Sequence, residues 1–419
     1  MPNAGLDCGF LAARGRLLSA RRLLPTGSGG LDALFSQSSM RVAVIMGGVI
    51  PEQLALWHAV RGAGVGLTIV GTDFDVYRGK FPWHPRRPTD IDTVILRLRS
   101  PAPIRGQVWW TYEGLYPALR RLRPDLLHVV SEPWGALVSQ TLFARRSVGK
   151  RVPLSVHGAD NIFDHGTWPE RVARRVILSR VWPRIDAFVS WSGGGIDAAR
   201  GAGLPAIPTT VVPAVVPDPA LFPSSRPSDL RARFGLPRDE PVVGYLGRLD
   251  EEKGIEDLLQ AMGSLGPSAP FFAVWGAGRL EGLVRHRLSA GELRGKFGGP
   301  LGFAYAPRAL QACDVIVVPS RTTPAWKEQF GRVIVEAMLA GAAVVAYRSG
   351  AIPEAAGDGA LLVDEGDVSG LAAAIQRLTT DSSLRSELAA RGREGALARF
   401  HPNVLAERLV RFWSEVRSR

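Results

Sequence analysis

Two neighbouring stretches decide the fold: DVIVVPS at Asp314–Ser320 and KEQFGRVIVEAMLAG at Lys327–Gly341. The first is a β-branched run typical of a buried parallel strand, and the second has the composition of a largely buried helix. Gly331 can open this helix, and Gly341 suits its C-terminal cap. A strand followed by such a helix predicts a Rossmann-like unit in which free backbone N–H groups bind phosphate. Those groups belong to Phe330, Gly331 and Arg332.

From Met40 onward, short apolar runs alternate with amphipathic helical stretches, which indicates βαβ units and parallel sheets. One set is RVAVIM, GLTIVG, TVILRLR, DLLHVVS, VPLSVHG and DAFVSWS; a second set is PVVGYLG, FFAVWG, GKFGG, DVIVVPS, AAVVAYR and ALLVDE. Proline and serine concentrate between the sets, at Ile207–Asp229, which predicts a linker. We therefore predict an α/β protein with two Rossmann-like domains, at 40–210 and 211–400. Residues 401–419 form a helix with an apolar stripe, and residues 1–39 are a disordered or misannotated leader.

Composition limits the class of protein. The chain has 419 residues, too many for one ordinary domain, and its apolar runs are shorter than the roughly 18 residues of a membrane span. Two distant cysteines, Cys8 and Cys313, favour a reducing compartment, so we expect a cytoplasmic protein. The net charge of +12 favours an anionic partner: a nucleotide, an anionic membrane or nucleic acid. No nucleic-acid recognition module accompanies the charge, so we expect no nucleic-acid partner.

Charged residues stand where a nucleotide ligand would need them. Glu328 and Glu336 have seven residues between them, so one lies in the loop before the helix and the other inside it. A buried carboxylate needs hydrogen-bond donors, which a ribose diol or sugar hydroxyls supply. In GYLGRLDEEKGIEDLLQAM at Gly244–Met262, Arg248 and Lys253 can stabilise a diphosphate leaving group as its negative charge grows. Capping glutamates and a solvated charged turn are the structural alternatives.

These two motifs, in this order and about eighty residues apart, resemble those of the retaining glycosyltransferases of family 4, which have the GT-B fold. VWGAGR at Val274–Arg279, SGAIPE at Ser349–Glu354 and GDGALLVDEGD at Gly357–Asp367 add to the resemblance. It covers nearly everything from Met40 onward and is most specific in the second domain. The resemblance implies two sheets that face each other across a cleft and a C-terminal helix that crosses back to the first domain.

The resemblance also implies residue roles. Arg248 and Lys253, after Gly247, become the diphosphate clamp, Glu336 the ribose ligand and Glu328 a ligand of the donor sugar. The nucleobase is expected near Phe297 and Gly298. In the first domain, Gly47 and Gly48 match a glycine-rich loop that faces the donor phosphates. His157, in SVHGADN, matches a histidine beside the reaction centre, and Glu354 is expected to help close the site.

Family members transfer the sugar with retention and need neither a nucleophile nor a metal, so we expect no cofactor. The donor is a nucleotide diphosphate sugar of UDP or GDP type, and the acceptor is a glycan, a lipid-linked intermediate or a small molecule. The basic stretch PERVARRVILSRVWPR at Pro169–Arg184 is either a packed helix or a contact with anionic lipid at the inner face of the membrane. An epimerase or phosphorylase of the same fold and a catalytically idle binder of nucleotide sugars remain alternatives, although the Glu pair argues against the first two.

Overall fold

The computed structural model describes residues 40–47, 51–72, 91–99, 109–148, 152–225, 227–302 and 305–419. The predicted leader at 1–39 and Gly48 lie outside the described residues. We call the part that contains the first sheet the first lobe and the part that contains the second sheet the second lobe.

The first lobe is built on a parallel sheet. The lobe's strands are β1 (Arg41–Met46), β2 (Gly66–Gly71), β3 (Asp92–Ile95), β4 (Arg97–Arg99), β5 (Thr111–Glu113), β6 (Leu126–Val130), β7 (Leu154–Gly158), β8 (Ala187–Ser190) and β9 (Thr209–Val211). Within the described residues, the strand order of the parallel sheet is β3-β2-β1-β6-β7-β8-β9. Strands β1, β6 and β7 lie at its centre and are buried almost throughout, which explains their continuous apolar runs.

The second lobe repeats this architecture. Its strands are β10 (Val242–Leu246), β11 (Phe271–Trp275), β12 (Gly295–Gly299), β13 (Val315–Val318), β14 (Ala343–Tyr347) and β15 (Ala360–Val363). In the described part of the chain, they form a parallel sheet of the order β12-β11-β10-β13-β14-β15. The carboxyl ends of β10 and β13 lie side by side at the point where the strand order reverses, which is where open α/β sheets bind ligands.

Two sequence predictions are wrong in detail. TVILRLR is not one strand, because Leu96 separates β3 from β4, and β4 leaves the sheet to pair antiparallel with β5. Arg97 and Arg99 of β4 are exposed and pair with Glu113, so half of the run faces water. The predicted linker also begins too early, because β9 still belongs to the first sheet. The chain leaves this sheet after Val211, and we call residues 212–229 the linker.

The helices pack on both faces of each sheet. They are α1 (Pro51–Gly62), α2 (Leu115–Leu122), α3 (Ala136–Ala144), α4 (Trp168–Val181), α5 (Gly193–Gly201), α6 (Leu230–Phe234), α7 (Ile255–Ser264), α8 (Glu281–Ser289), α9 (Ala306–Ala312), α10 (Arg332–Leu339), α11 (Ile352–Ala356), α12 (Val368–Thr380), α13 (Ser382–Phe400) and α14 (Pro402–Ser418). Among the described residues, no helix is both long and apolar enough to cross a membrane.

Helix α14 returns to the first lobe. Its buried stripe, which includes Leu409, Phe412 and Trp413, packs with Trp57 of α1 in one apolar cluster. Arg408 on the same helix donates a hydrogen bond to the Val211 carbonyl at the end of β9. The predicted fold class, two Rossmann-like domains with a C-terminal helix that crosses back, is therefore confirmed.

Candidate functional site

The loop after β10 is shaped by tight backbone contacts. The Tyr245 hydroxyl donates a hydrogen bond to the Arg248 carbonyl at 2.5 Å, and burial raises the pKa of Tyr245, so the hydroxyl keeps its proton. Gly254 has a φ of 63°, and a Cβ at this position would lie 1.8 Å from the Pro319 carbonyl oxygen. Glycine is therefore required where this loop crosses the end of β13, and the close crossing brings Lys253 to the next loop.

Lys253 forms an ion pair with the first glutamate of the motif. Its Nζ lies 2.8 Å from Glu328 Oε2, and the same oxygen accepts a hydrogen bond from Ser320 Oγ at 2.9 Å. Nζ also lies 4.2 Å from the ring centroid of Trp326. The side chains of Lys253 and Glu328 are 19% and 13% exposed, so this charge pair is mostly shielded from water. A cation and a carboxylate are thus held together at one point of the site.

Arg248 is held by acidic neighbours in its own loop. One guanidinium nitrogen lies 2.5 Å from Asp250 Oδ2 and the other 2.7 Å from Glu252 Oε1. Its side chain is 42% exposed, so the guanidinium keeps a face toward solvent. A planar guanidinium can bind an anion through several N–H groups, and the two carboxylates fix its plane.

Helix α10 begins beside these side chains. Its N-cap residue Gly331 has a φ of 76°, a left-handed conformation that glycine adopts without strain. Glu336 is only 6% exposed and lies 3.2 Å from the Nε of Arg332, one turn earlier on the helix. The Glu336 carboxylate therefore stands inside the site, on a helix whose N-terminus carries partial positive charge.

These groups line one cavity of about 300 Å³. Its described lining comes from the second lobe and the linker and includes Gly247, Arg248, Lys253, Glu328, Gly331, Arg332 and Glu336. The linker contributes Pro217, Leu221 and Phe222, which the sequence reasoning did not single out as site residues. Among the described residues, no cluster of three or more His, Cys, Asp or Glu residues could hold a metal.

Six of the described residues that were predicted for the site do not line this cavity: Gly47, His157, Phe297, Gly298, Phe330 and Glu354. The guanidinium carbon of Arg285 lies 4.3 Å from the ring centroid of Phe297, and Gly298 packs on the Trp275 indole. Pro300 and Leu301, just beyond β12, line the cavity instead. Phe330 is buried against Phe400, although the next residue, Gly331, lines the cavity. A Cβ at Gly47 would lie 3.3 Å from the Trp110 ring, so packing also favours a small residue there.

His157 is buried in the first lobe, with 1% exposure, and also lies outside the cavity lining. Its Nε2 lies 2.6 Å from the Val212 carbonyl oxygen in the linker, and its Nδ1 lies 3.1 Å from Nε2 of His128. Because a carbonyl only accepts hydrogen bonds, Nε2 of His157 carries the hydrogen and Nδ1 accepts one from His128. Burial lowers the pKa of His157 to about 4. This geometry describes a neutral structural imidazole, and its predicted catalytic role stays a prediction.

His128 continues the same hydrogen-bond chain. Its Nδ1 lies 3.1 Å from the Ser155 hydroxyl and 3.3 Å from Nε1 of Trp413 on α14. Burial, and then the neighbouring His157, lower the pKa of His128. Two neutral histidines thus connect the returning helix to the linker, so they tie together the two segments that join the lobes.

The lobes also contact each other through side chains to which the sequence analysis gave no role, Asn161, Asp160 and Gln329. Asn161 Nδ2 donates a hydrogen bond to the Glu328 carbonyl at 2.8 Å, and Gln329 Nε2 donates one to Asp160 Oδ1 at 2.5 Å. At a second place, the Gly193 backbone N–H donates to Glu354 Oε2 at 2.8 Å. Glu354, which the resemblance predicts to help close the site, lies at this contact between the lobes and outside the cavity lining.

Two family models match the chain. Residues 47–214 match the family described as "Glycosyl transferase 4-like domain" and residues 228–395 match "Glycosyl transferases group 1". The boundary between the two matches falls in the linker, so each lobe corresponds to one of the two families.

Known proteins show the same pattern. The 2-deoxystreptamine glucosyltransferase of Streptomyces kanamyceticus is 30% identical over 359 residues, which are 78% of this chain and 90% of that protein. The phosphatidyl-myo-inositol mannosyltransferase of Mycolicibacterium smegmatis is 35% identical over 187 residues, 43% of this chain and 47% of that protein. The crystal structure of Anabaena HepE in complex with UDP and glucose superposes with a TM-score of 0.67 at 22% identity, covering 90% of this chain and 100% of that chain.

Proposed function

The chain belongs to the glycosyltransferases of family 4, enzymes that use nucleotide-sugar donors, and we propose that it transfers a hexose from a UDP- or GDP-sugar to a small polyhydroxylated acceptor. We propose further that transfer retains the anomeric configuration and needs no metal. One observation carries the proposal: Arg248, Lys253, Glu328 and Glu336 converge on one cavity at the N-terminus of α10.

The two cations account for the diphosphate. Arg248 and Lys253 come from one loop, and the backbone at Gly331 and Arg332 adds the positive end of the α10 dipole. A departing nucleoside diphosphate gains negative charge as the bond to the sugar breaks. Fixed cations that face this growing charge lower the barrier, because they are already oriented before the reaction.

The two glutamates account for the hydroxyl groups of the donor. The buried Glu336 carboxylate can accept both hydrogens of a ribose diol, and Glu328 can accept those of the transferred hexose. The Lys253–Glu328 ion pair fits this division of roles. When the diphosphate takes Lys253 as its partner, Glu328 becomes available to the sugar.

The proposed chemistry needs no protein nucleophile. The acceptor hydroxyl attacks the anomeric carbon on the face from which the diphosphate departs, and a phosphate oxygen takes the hydroxyl proton. The bond from the anomeric carbon to the phosphate oxygen breaks as the new glycosidic bond forms, so the configuration is retained. Catalysis then rests on positioning and electrostatic stabilisation.

The length over which one relative matches this chain favours a small acceptor. The relative whose printed name is a 2-deoxystreptamine glucosyltransferase matches across both lobes, whereas the phosphatidyl-myo-inositol mannosyltransferase matches over less than half of either chain. Acceptor recognition is expected mainly in the first lobe, so a likeness that extends over most of this chain is the more informative. We therefore propose a cyclitol, an aminocyclitol or a related glycoside as acceptor.

A lipid-linked acceptor is the second candidate, and helix α4 supports it. Trp168, Val172 and Val176 stand four residues apart on this helix and are 69%, 38% and 44% exposed. Arg171 and Arg175 lie on the same helix, so apolar and cationic side chains are presented together, as on helices that bind anionic membranes. Co-sedimentation with vesicles of neutral or anionic lipid tests this: a Trp168→Ala, Val172→Ser variant that binds anionic vesicles as well as the parent does would refute the contact.

The experiment for the main proposal is a nucleotide screen by thermal unfolding, followed by a transfer assay. A donor at a hundred times its dissociation constant should add about 2.7 kcal/mol of apparent stability. Glu336→Ala and Lys253→Ala should weaken this effect. Glu407→Ala, the same change at an exposed position on α14, serves as the control.

The transfer assay separates an enzyme from an idle binder. The preferred donor is incubated with a panel of cyclitols, and the anomeric coupling constant of any product, measured by NMR, gives its configuration. A product of inverted configuration would refute retention. A donor that binds in the screen but is transferred to no acceptor would favour the catalytically idle alternative.

A further inference from the structure

The main-chain carbonyl of Glu328 receives one hydrogen bond from each lobe. Asn161 Nδ2 of the first lobe donates at 2.8 Å, and the Ala351 backbone N–H of the second lobe donates at 2.9 Å. Gly350 permits the second contact, because a Cβ there would lie 2.4 Å from the same carbonyl oxygen. A carbonyl oxygen has two lone pairs, so both of its acceptor positions are used.

The Asn161 side chain is itself well fixed. It is 5% exposed, and the chain before it is shaped by Glu132 at the end of β6. The Glu132 carboxylate accepts hydrogen bonds from the backbone N–H groups of Ala159 at 2.9 Å and Asp160 at 3.3 Å. The bond from Gln329 to Asp160 then adds a second connection beside the first. We call Asp160, Asn161, Glu328 and Gln329 the interlobe clamp.

The clamp includes Glu328, the residue that the proposed function assigns to the donor sugar. The Glu328 carboxylate is held from within the second lobe by Lys253 and Ser320. A bound diphosphate competes with the Glu328 carboxylate for Lys253. When Lys253 binds the diphosphate, the direction of the carboxylate depends more strongly on the position of the Glu328 backbone. Asn161 is the first-lobe side chain bonded to that backbone in the described structure.

We propose that Asn161 is a positioning residue through which the first lobe orients Glu328 toward the donor sugar. Recognition of the sugar then depends on the lobes being in contact, whereas recognition of the nucleoside diphosphate does not. This inference rests on the proposed role of Glu328 as a donor-sugar ligand. It goes beyond that role because it assigns part of donor selectivity to the first lobe.

The test compares two ligands on the same variants. Dissociation constants for UDP and UDP-glucose, and for GDP and GDP-mannose, are measured by calorimetry on the parent, Asn161→Ala and Asn161→Asp. Asn161→Ala should bind the nucleotide sugar about tenfold more weakly, the loss that corresponds to one hydrogen bond of ~1.4 kcal/mol, and should bind the nucleoside diphosphate as the parent does. Asn161→Asp has nearly the shape of asparagine but no N–H donor, so it should lose at least as much.

Glu354→Ala is the matched control, because it removes a different hydrogen bond between the lobes without touching Glu328. It should keep the parent's ratio of the two dissociation constants. The inference is overturned if Asn161→Asp binds both ligands like the parent, or if every variant weakens both ligands equally. A parent that binds none of the four probes overturns the proposed function as well, whereas an unchanged ratio in Asn161→Ala overturns this inference alone.

Discussion

Replacing His157 by glutamine should make the protein less sensitive to acid. The imidazole is buried, its Nε2 donates to the Val212 carbonyl, and burial lowers its pKa to about 4. An unfolded chain exposes the same imidazole to water, where its pKa is about 6.5. Between these two values the unfolded chain binds a proton that the folded chain does not, so the free energy of unfolding falls as the pH is lowered.

The size of the effect follows from the two pKa values of His157. At about 1.4 kcal/mol for each pKa unit, the full difference corresponds to roughly 3 kcal/mol, reached below pH 4. By pH 5 the loss is about 2 kcal/mol, and at pH 7.5 it is close to zero. His128 adds to the acid sensitivity in the same direction, because burial lowers its pKa as well. The difference between the parent and the glutamine variant therefore gives the part of the acid-dependent loss of stability that is due to His157.

Urea unfolding at pH 7.5, 6 and 5 measures this share. Glutamine places an amide N–H near the position of Nε2, so it can still donate to the Val212 carbonyl while lacking a titrating group. Between pH 7.5 and 5 the variant should lose about 2 kcal/mol less than the parent. His286→Gln, which changes an imidazole that is 71% exposed, should follow the parent. Parallel profiles for the parent and His157→Gln would refute the reasoning and return His157 to the candidates for a solvent-accessible site residue.

Three further predictions concern the donor site. In urea unfolding, Gly254→Ala should lower the free energy of unfolding more than Gly266→Ala does. Both positions have positive φ, but only a Cβ at Gly254 would lie against a backbone oxygen. The Gly266 variant should lose about 1 kcal/mol, and equal losses in the two variants would argue against the close crossing beside Lys253. Glu336→Gln should weaken the nucleoside diphosphate and the nucleotide sugar about equally in calorimetry, whereas Glu328→Gln should weaken mainly the nucleotide sugar; the reverse pattern would exchange their roles. Transfer should proceed at an unchanged rate after treatment with EDTA, and a rate restored by added Mg²⁺ would show that the two cations do not suffice.

The fold could be predicted from sequence because each buried parallel strand is a continuous apolar run in its own segment of the chain. A central strand such as RVAVIM can be recognised from its own residues, without knowing which strands pair with it. Edge elements were less predictable. β9 is a three-residue strand inside a proline-rich stretch, and β4 leaves the sheet where alternate residues become charged. In both cases the pairing partner decides the structure, and sequence alone does not name it.

The candidate site was predictable where one short segment supplies both scaffold and chemistry. Glu336 and Gly331 belong to one helix, so their spacing fixes their geometry. Phe297 and Gly298 lie within β12 and do not line the cavity, whereas Pro300 and Leu301 just beyond the strand do, so the sequence indicated the segment but not the residues of it that reach the cavity. His157 was assigned by resemblance, and only its partners His128 and Val212 show how deeply it is buried.

The contacts that Asn161 and Glu354 make between the lobes were missed for a more general reason. Asn161 bonds to a carbonyl and Glu354 to a backbone N–H, so each contact requires a particular side chain on one lobe and accepts almost any residue on the other. Such a contact leaves no paired pattern in the sequence, however much it contributes to function. It also determines which half of each contact can be tested, because a substitution removes a side-chain donor or acceptor but not a backbone one. Asn161 and Glu354 are therefore positions at which coupling between the two lobes can be changed without replacing a residue that lines the cavity.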